Sequence, residues 1–389
     1  MRMVNGQAEG TDPLQTATKV IDQCKQEVGT DAPSLALVFT SMLDADLESV
    51  LSRIAQAFPD TPLLGCTTDG EFSNVRGVSE DSLVLSLLCS SRMEIAVGIG
   101  DALSTNTRGA VRRAARQARH KLKGEPKLCL ALPDGLHSFT NPVAECLGEE
   151  FGPNVPVLGG TAGDDFRIEQ TFQFVNGEIY TDAVGLLLFG EGVRFGYGLA
   201  SGWTPVGPTH TVTQSTGSGV TRVDGQDIFS LYKDYLGVQH LDIGEISPFS
   251  IALYDESSQS YYFRAPAHVD DQNEILFFAG QVPEETQFKM TAFGRDAIAQ
   301  AAQQAAQQAL SNYPGSQPDA ILSFSCASRK QILGTRIAEE QHHLGGVFGP
   351  ETPFAGFYTY GEIAPLVQNS LPFFHNGSVI TICLGEEEA

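Results

Sequence analysis

The residues of this 389-residue chain most able to do chemistry gather in a few short segments. The densest is GGTAGDD, where Gly159, Gly160, Thr161 and Gly163 permit close backbone approach and let amides converge on a ligand. Asp164 and Asp165 in the same turn oppose a phosphate, so an amine, a hydroxyl-bearing ligand or a metal suits it better. Adjacent acids in an extended chain point to opposite faces, which disfavours a shared metal. The plainer alternative is a tight turn whose acids cap backbone amides. A second segment, SCASR, begins where a strand ends, the edge at which open α/β sheets bind ligands. There Arg329 can grip a carboxylate with two prongs and Cys326 can touch a ligand or metal. The alternative is helix capping by the serines and a buried thiol.

A third segment, YTYGE, brings Tyr358, Tyr360, Gly361 and Glu362 into one turn, as the wall of a pocket or as packing with satisfied hydroxyls. In FFHNGS, His375 and Asn376 precede the last apolar strand. An imidazole in apolar surroundings ligates a metal or haem iron, or serves as a satisfied structural group. His240 is the second candidate ligand. No set of catalytic residues assembles: the chain lacks G-x-S-x-G, H-E-x-x-H, G-x-x-x-x-G-K-[ST] and a G-x-G-x-x-G after a strand. A Cys326/His375 nucleophile pair can be drawn on paper, but no third residue is implied, and the expectation is a binding protein rather than an enzyme.

These segments belong to a repeat. PLLGCTTDGEF (62–72), PVLGGTAGDDF (156–166) and PFAGFYTYGEI (353–363) share Pro, a Gly three residues on, and an acid followed by a large apolar residue. An apolar strand precedes each: SLALVFTS, KLCLALPD and AILSFSC. A helix-like stretch lies between strand and turn, with Leu47, Val50, Leu51 and Ile54 at helical spacing in the first unit. Another strand follows: SLVLSLL, AVGLLLF and SVITICL. The unit is strand–helix–glycine turn–strand, and it predicts an α/β fold of mixed α+β character, with layered mixed β-sheets and helices. Two copies fill a first domain over 34–202, after an N-terminal segment over 1–33. The Pro-, Gly- and Thr-rich stretch 203–219 reads as a connection, though its THTVTQ alternates like a strand, and a second domain spans 220–389 with the third unit at 319–386.

A net charge of −23 repels phosphate backbones and anionic bilayers, which argues against nucleic acid and membrane partners. The N-terminus has no apolar signal region, and apolar runs are of strand length, so no membrane insertion is expected. Seven scattered cysteines with no C-x-x-C fit reduced thiols in a cytoplasmic protein. The basic stretch Arg112–Lys121 reads as a solvated helix.

At PVLGGTAGDDF, SCASRKQILG, PFAGFYTYGEI and FFHNGS, and at VTRVDGQDIFSLYKDYLG and FFAGQVPEET, the chain resembles the FIST family, from about Ser34 to Glu386. The resemblance implies paired N- and C-terminal FIST domains and an intracellular sensor of small ligands, amino acids among them. It also implies output through a separate signalling protein, since no kinase, receiver or cyclase pattern is present. Stand-alone members of one subset bind haem b, sense nitric oxide and regulate a partner histidine kinase. On that reading His375, or else His240, holds the haem iron. On the amino-acid reading Arg329 takes the carboxylate and Asp164 or Glu362 the ammonium.

Overall fold

The proline–glycine frame recurs because one strand must lie hard against its neighbour. In the computed structural model, which describes residues 1–139 and 141–387, Gly65, Gly159 and Gly356 lie in strands Leu63–Thr67, Val157–Gly160 and Phe354–Thr359. Each runs parallel to a central strand: Leu35–Thr40, Leu128–Pro133 or Ala320–Cys326. A Cβ on these glycines would stand 2.0 Å from the Val38 carbonyl oxygen, 2.0 Å from that of Ala131 and 1.8 Å from that of Ser323. Any side chain there pushes the parallel pair apart, so the glycine is required three times over.

The unit is larger than its sequence signature. The third strand in space is the last in sequence: Ser82–Cys89, Val184–Phe189 and Val379–Glu386 pair antiparallel with the central strands. On its other side each pairs with a strand that opens the unit: Arg2–Glu9, Ile95–Gly100 and Val193–Ala200. The first 33 residues are therefore part of the first unit, as strand Arg2–Glu9 and helix Pro13–Val28. That strand carries no apolar alternation because polar side chains are spent inside: Gln7 accepts from the Ser73 hydroxyl at 2.6 Å and Asn5 donates to Asn74 at 2.7 Å.

After each glycine turn the chain leaves its own sheet. Hairpin Glu71–Ser79 of the first unit pairs with Phe354–Thr359 of the third; Gln173–Tyr180 of the second pairs with Leu63–Thr67 of the first; Glu362–His375 of the third pairs with Val157–Gly160 of the second. Three six-stranded sheets result, each finished by a neighbour's hairpin in cyclic order. Their inner faces meet in one core containing Phe39, Leu132 and Phe324; Phe39 and Phe324 contact the Phe357 ring at 4.8 and 5.1 Å. Helices cover the outer faces in separate clusters, such as Val20, Val50 and Ile54 in the first unit. Burying each large apolar side chain contributes ~1.5–3 kcal/mol, so shared burial and exchanged hairpins make the three units one body.

Between Ala200 and Arg295 the third unit carries an inserted eight-stranded sheet. Trp203–Thr216, expected as a connection, is instead a 14-residue strand paired with Gln287–Phe293 and Gly219–Val223. The third unit thus begins at Val193, before the insertion, and not at residue 319. The insertion has its own core around Tyr232, Phe278 and Phe288, and helix Ile228–Leu236 ends at Gly237 in the left-handed region with φ 70°. Among the described residues no helix is long and apolar enough to cross a membrane.

Candidate functional site

The three glycine turns converge at one end of the shared core. Asp69 N–H donates to the Tyr358 carbonyl at 3.0 Å, and Tyr358 N–H to that of Gly70 at 2.8 Å. Thr161 N–H donates to the Gly361 carbonyl at 2.9 Å, and Gly163 N–H to that of Thr67 at 3.0 Å. Gly159, Gly160, Thr161, Gly163 and Gly361 are thereby occupied in turn-to-turn packing: a Cβ at Gly160 would crowd Thr359, and one at Gly361 would strike the Phe374 ring. They shape the site and do not face a ligand.

Beside these turns lies a cleft of about 280 Å³ between the three-unit body and the inserted sheet. Cys326, Ser328, Tyr360 and Asn376 line it from the third unit, Phe139, Phe166 and Ile168 from the second. Ile243, Ala265 and Pro266 face them from the insertion. A hollow of about 340 Å³ lies beside Phe58 and Ile95, and none of the candidate ligand, metal or catalytic residues lines it. Contacts bridging body and insertion flank the cleft. Asn376 Oδ1 accepts from Ala265 N–H at 3.1 Å, and Arg264 Nη1 donates to the Phe374 carbonyl at 2.7 Å. The single tryptophan, Trp203, held within the insertion by its indole bond to the Pro248 carbonyl at 2.8 Å, packs against Gly377 of the body.

Asp164 is a capping acid, as the plainer reading of its turn has it. Its buried carboxylate accepts from the N–H groups of Ile168, Glu169 and Gln170 at 3.1, 2.7 and 3.0 Å, and from the Tyr360 hydroxyl at 2.5 Å. This clamp holds a strained loop: Asp165, Phe166 and Ile168 have φ of 53°, 55° and 54°. A β-branched residue in the left-handed region costs about 1–3 kcal/mol, and here the strain presents Phe166 and Ile168, 41% and 57% exposed, at the cleft mouth. Asp165 turns away to the surface, 3.6 Å from Lys330 Nζ.

Arg329 does not hold a ligand carboxylate. It is fully buried, with Nε donating to Ser325 and Glu340 at 3.1 Å each, Nη2 to the Ile298 carbonyl and Glu340 at 2.7 and 3.0 Å, and Nη1 to the Ser201 carbonyl. Tyr358 joins the same network through Glu340 and Gln341, so it too is structural and stands outside the cleft. The residue two positions on, Tyr360, is the aromatic wall.

The repeated acid takes a different partner set in each unit. Register pairs Glu71 with Phe357, Glu362 with Gly160, and Gln173, not Asp165, with Cys66. The second unit has inserted its strained loop between turn and hairpin, so the aligned acid no longer occupies the equivalent place. Glu362 accepts from Ser378 N–H and Oγ at 3.0 and 2.6 Å on one oxygen, while Oε1 is buried and without a hydrogen bond. Burial pushes its carboxyl up to about 8. Cys326 sits between Glu362 and the cleft, its sulfur accepting from Ser328 Oγ at 3.1 Å. Burial and the Glu362 charge push the thiol up to about 12, which favours its neutral form at the cleft wall.

His375 is no partner for Cys326. Its Nε2 donates to the Ala364 carbonyl at 2.9 Å, and burial holds the ring neutral, down to about 4. The Cys326/His375 pair therefore does not assemble. Haem b does not fit these residues either: neither His375 nor exposed His240 lines the cleft, and its volume is at the low end for small-molecule sites. Among the described residues no three His, Cys, Asp or Glu side chains group as metal ligands. The sequence reading missed Phe139, Phe166 and Ile168; exposed apolar residues beside GGTAGDD were the available signal.

Relatives are similar in kind. An uncharacterized protein of Mycobacterium bovis is 25% identical over 396 residues, covering 96% of this chain and 97% of its own. One from Methanocaldococcus jannaschii is 26% identical over 242 residues, 58% of this chain, which spans only 44% of that relative. Among solved structures, a cyanuric acid hydrolase aligns over 99% of both chains at 9% identity and a TM-score of 0.36, too low to carry function across. The FIST N domain matches residues 34–226 and the FIST C domain residues 229–365. By these two matches the chain belongs to the FIST family.

Proposed function

We propose that this protein is a small-ligand sensor of the cytoplasm whose ligand enters the cleft between the three-unit body and the inserted sheet. FIST domains are sensory domains, and the observation that carries the reading to this place is the cleft's composition. Polar groups not needed by the fold, such as the Gln331 amide, meet apolar walls contributed by two bodies. Only a handful of bonds join those bodies there, including Asn376 to Ala265 and Arg264 to Phe374. A ligand touching both walls changes their packing, and a separate signalling protein, such as the histidine kinase the family resemblance implies, reads the change. Seven unpaired cysteines, six of them buried, suit a reducing compartment.

A lining of apolar and amide side chains, with a thiol that burial pushes up to about 12, supports a binding site. Trp203, packed 3.1 Å from where a Gly377 side chain would begin, reports on this junction. Titration with a metabolite collection is expected to shift Trp203 emission and raise the melting temperature. Ala267→Phe, which fills the cleft from an exposed position, is expected to abolish both. Ligands that bind Ala267→Phe with unchanged affinity would place the sensor site elsewhere.

A further inference from the structure

Resting on the cleft as the sensing site, we infer that its ligand is an uncharged molecule built on a flat ring with a hydrogen-bonding edge. Eighteen per cent of the chain is charged, yet none of the sixteen residues lining the cleft is Lys, Arg, Asp, Glu or His. The groups that titrate are held neutral by their surroundings: Tyr360 has its hydroxyl bonded to Asp164, and Cys326 has a buried thiol. The cations flanking it are engaged by the protein: Lys330 donates to the Asp69 carbonyl at 2.8 Å and pairs with Glu80 at 2.6 Å, and buried Arg264 donates to the Gln281, Phe263 and Phe374 carbonyls at 3.0, 3.0 and 2.7 Å. A carboxylate or ammonium entering the cleft would shed water without meeting a counter-charge, a cost of several kcal/mol.

The ring follows from the walls. Tyr360 has Phe166 at 5.4 Å and Phe139 at 6.1 Å between ring centroids, so three aromatic rings form one side. The opposite side is Ala265–Pro266–Ala267, small residues that leave a slot and not a bowl. A flat π face in that slot gains aromatic contact worth about 0.5–1.5 kcal/mol beyond its burial. The hydrogen-bonding edge follows from what is left unspent. Among the described residues the exposed Gln331 side chain makes no hydrogen bond. Asn376 uses one N–H on the His375 carbonyl and its oxygen on Ala265 N–H, and keeps the other N–H. Gln331 offers a donor and an acceptor and Asn376 a donor, of the kind a neutral amide edge matches.

A matched probe series tests the inference on the full chain by saturation-transfer NMR and calorimetry. Benzamide is neutral and flat, benzoate its anion, benzylamine its cation, phenylalanine a zwitterion and cyclohexanecarboxamide a neutral non-planar analogue. Benzamide is expected to bind at least about tenfold more tightly than each of the others, with binding lost in Ala267→Phe. Phe166→Ala, an exposed change that the fold tolerates, is expected to remove benzamide's advantage over cyclohexanecarboxamide. If benzoate, benzylamine or phenylalanine binds as tightly as benzamide and Ala267→Phe abolishes it, the cleft stands and the ligand class is overturned. The inference also falls if benzamide fails to bind at millimolar concentration. Benzamide binding that persists in Ala267→Phe overturns the cleft itself.

Discussion

The first and third units place a glutamate at the same point of the same topology and treat it in opposite ways. Glu71 is closed in: Ser41 N–H and Oγ, Ser82 Oγ and Thr68 Oγ donate to it at 3.0, 3.1, 2.7 and 2.6 Å. Glu362 keeps only the two bonds from Ser378, because Cys326 stands where the first unit has Ser41 and Thr359, the counterpart of Thr68, donates to the Thr161 and Gly361 carbonyls instead. These two differences leave an oxygen unpaired in the unit whose turn opens onto the cleft. In the second unit a neutral Gln173 takes the position, with neither amide atom bonded. The copy closed with hydroxyls is scaffold; of the two left incomplete, only the third unit's lies behind the cleft proposed as the ligand site. The third unit also needs its own reinforcement, the buried Arg329–Glu340 pair, at 3.0 Å.

That reinforcement offers the largest expected effect. Arg329→Ala strands the buried Glu340 carboxylate and is expected to cost about 3–5 kcal/mol in urea unfolding, with no selective loss of ligand affinity. Next, Glu71→Ala and Glu362→Ala remove the same atoms but strand four donors against two. The first is expected to cost about 2 kcal/mol more, and equal costs would erase the contrast between the units. The pH dependence comes third. Burial raises Asp69 and Glu71 to about 7 and Glu362 to about 8, so the folded chain holds protons that the unfolded chain releases above its ordinary carboxylate values. Their contribution is full at low pH and is lost as pH rises through 7 and 8. His375, lowered to about 4, has the opposite sign, but its effect is complete by its ordinary value of 6.5. From pH 6.5 to 8 thermal stability should therefore fall, and Glu71→Gln and Glu362→Gln should each flatten the slope. Smallest is Cys326→Ser, which restores the first unit's hydroxyl to the third. It should add about 0.5–1.5 kcal/mol by pairing Glu362 Oε1, and an unchanged midpoint would show that this oxygen is already satisfied.

Much of the architecture was legible in the residues. The thrice-seen Pro and Gly announced the units, since a Cβ at Gly65, Gly159 or Gly356 collides with a strand backbone that every copy must carry. Leu47, Val50, Leu51 and Ile54 marked a helix face that is indeed buried. Polar strands were harder to see: Arg2–Glu9 spends Asn5 and Gln7 on interior hydrogen bonds, and only the alternating THTVTQ marked the largely exposed strand Trp203–Thr216. At the site, Cys326 and Asn376 lie in the cleft and Glu362 behind it, whereas Arg329, Tyr358 and His375 are held by the fold.

Local constraints of backbone and periodicity are written in consecutive residues, so the sequence by itself determined that a strand–helix–glycine turn–strand unit occurs three times and where each turn lies. Only the tertiary structure decided which unit's sheet each hairpin completes, that Gln173 and not Asp165 replaces the repeated glutamate, and that Arg329 faces inward. Those outcomes depend on which groups from distant segments reach one another first. A fully buried guanidinium held by Ser201, Ile298 and Glu340 is turned away from any guest, and no inspection of its neighbours in sequence reveals that.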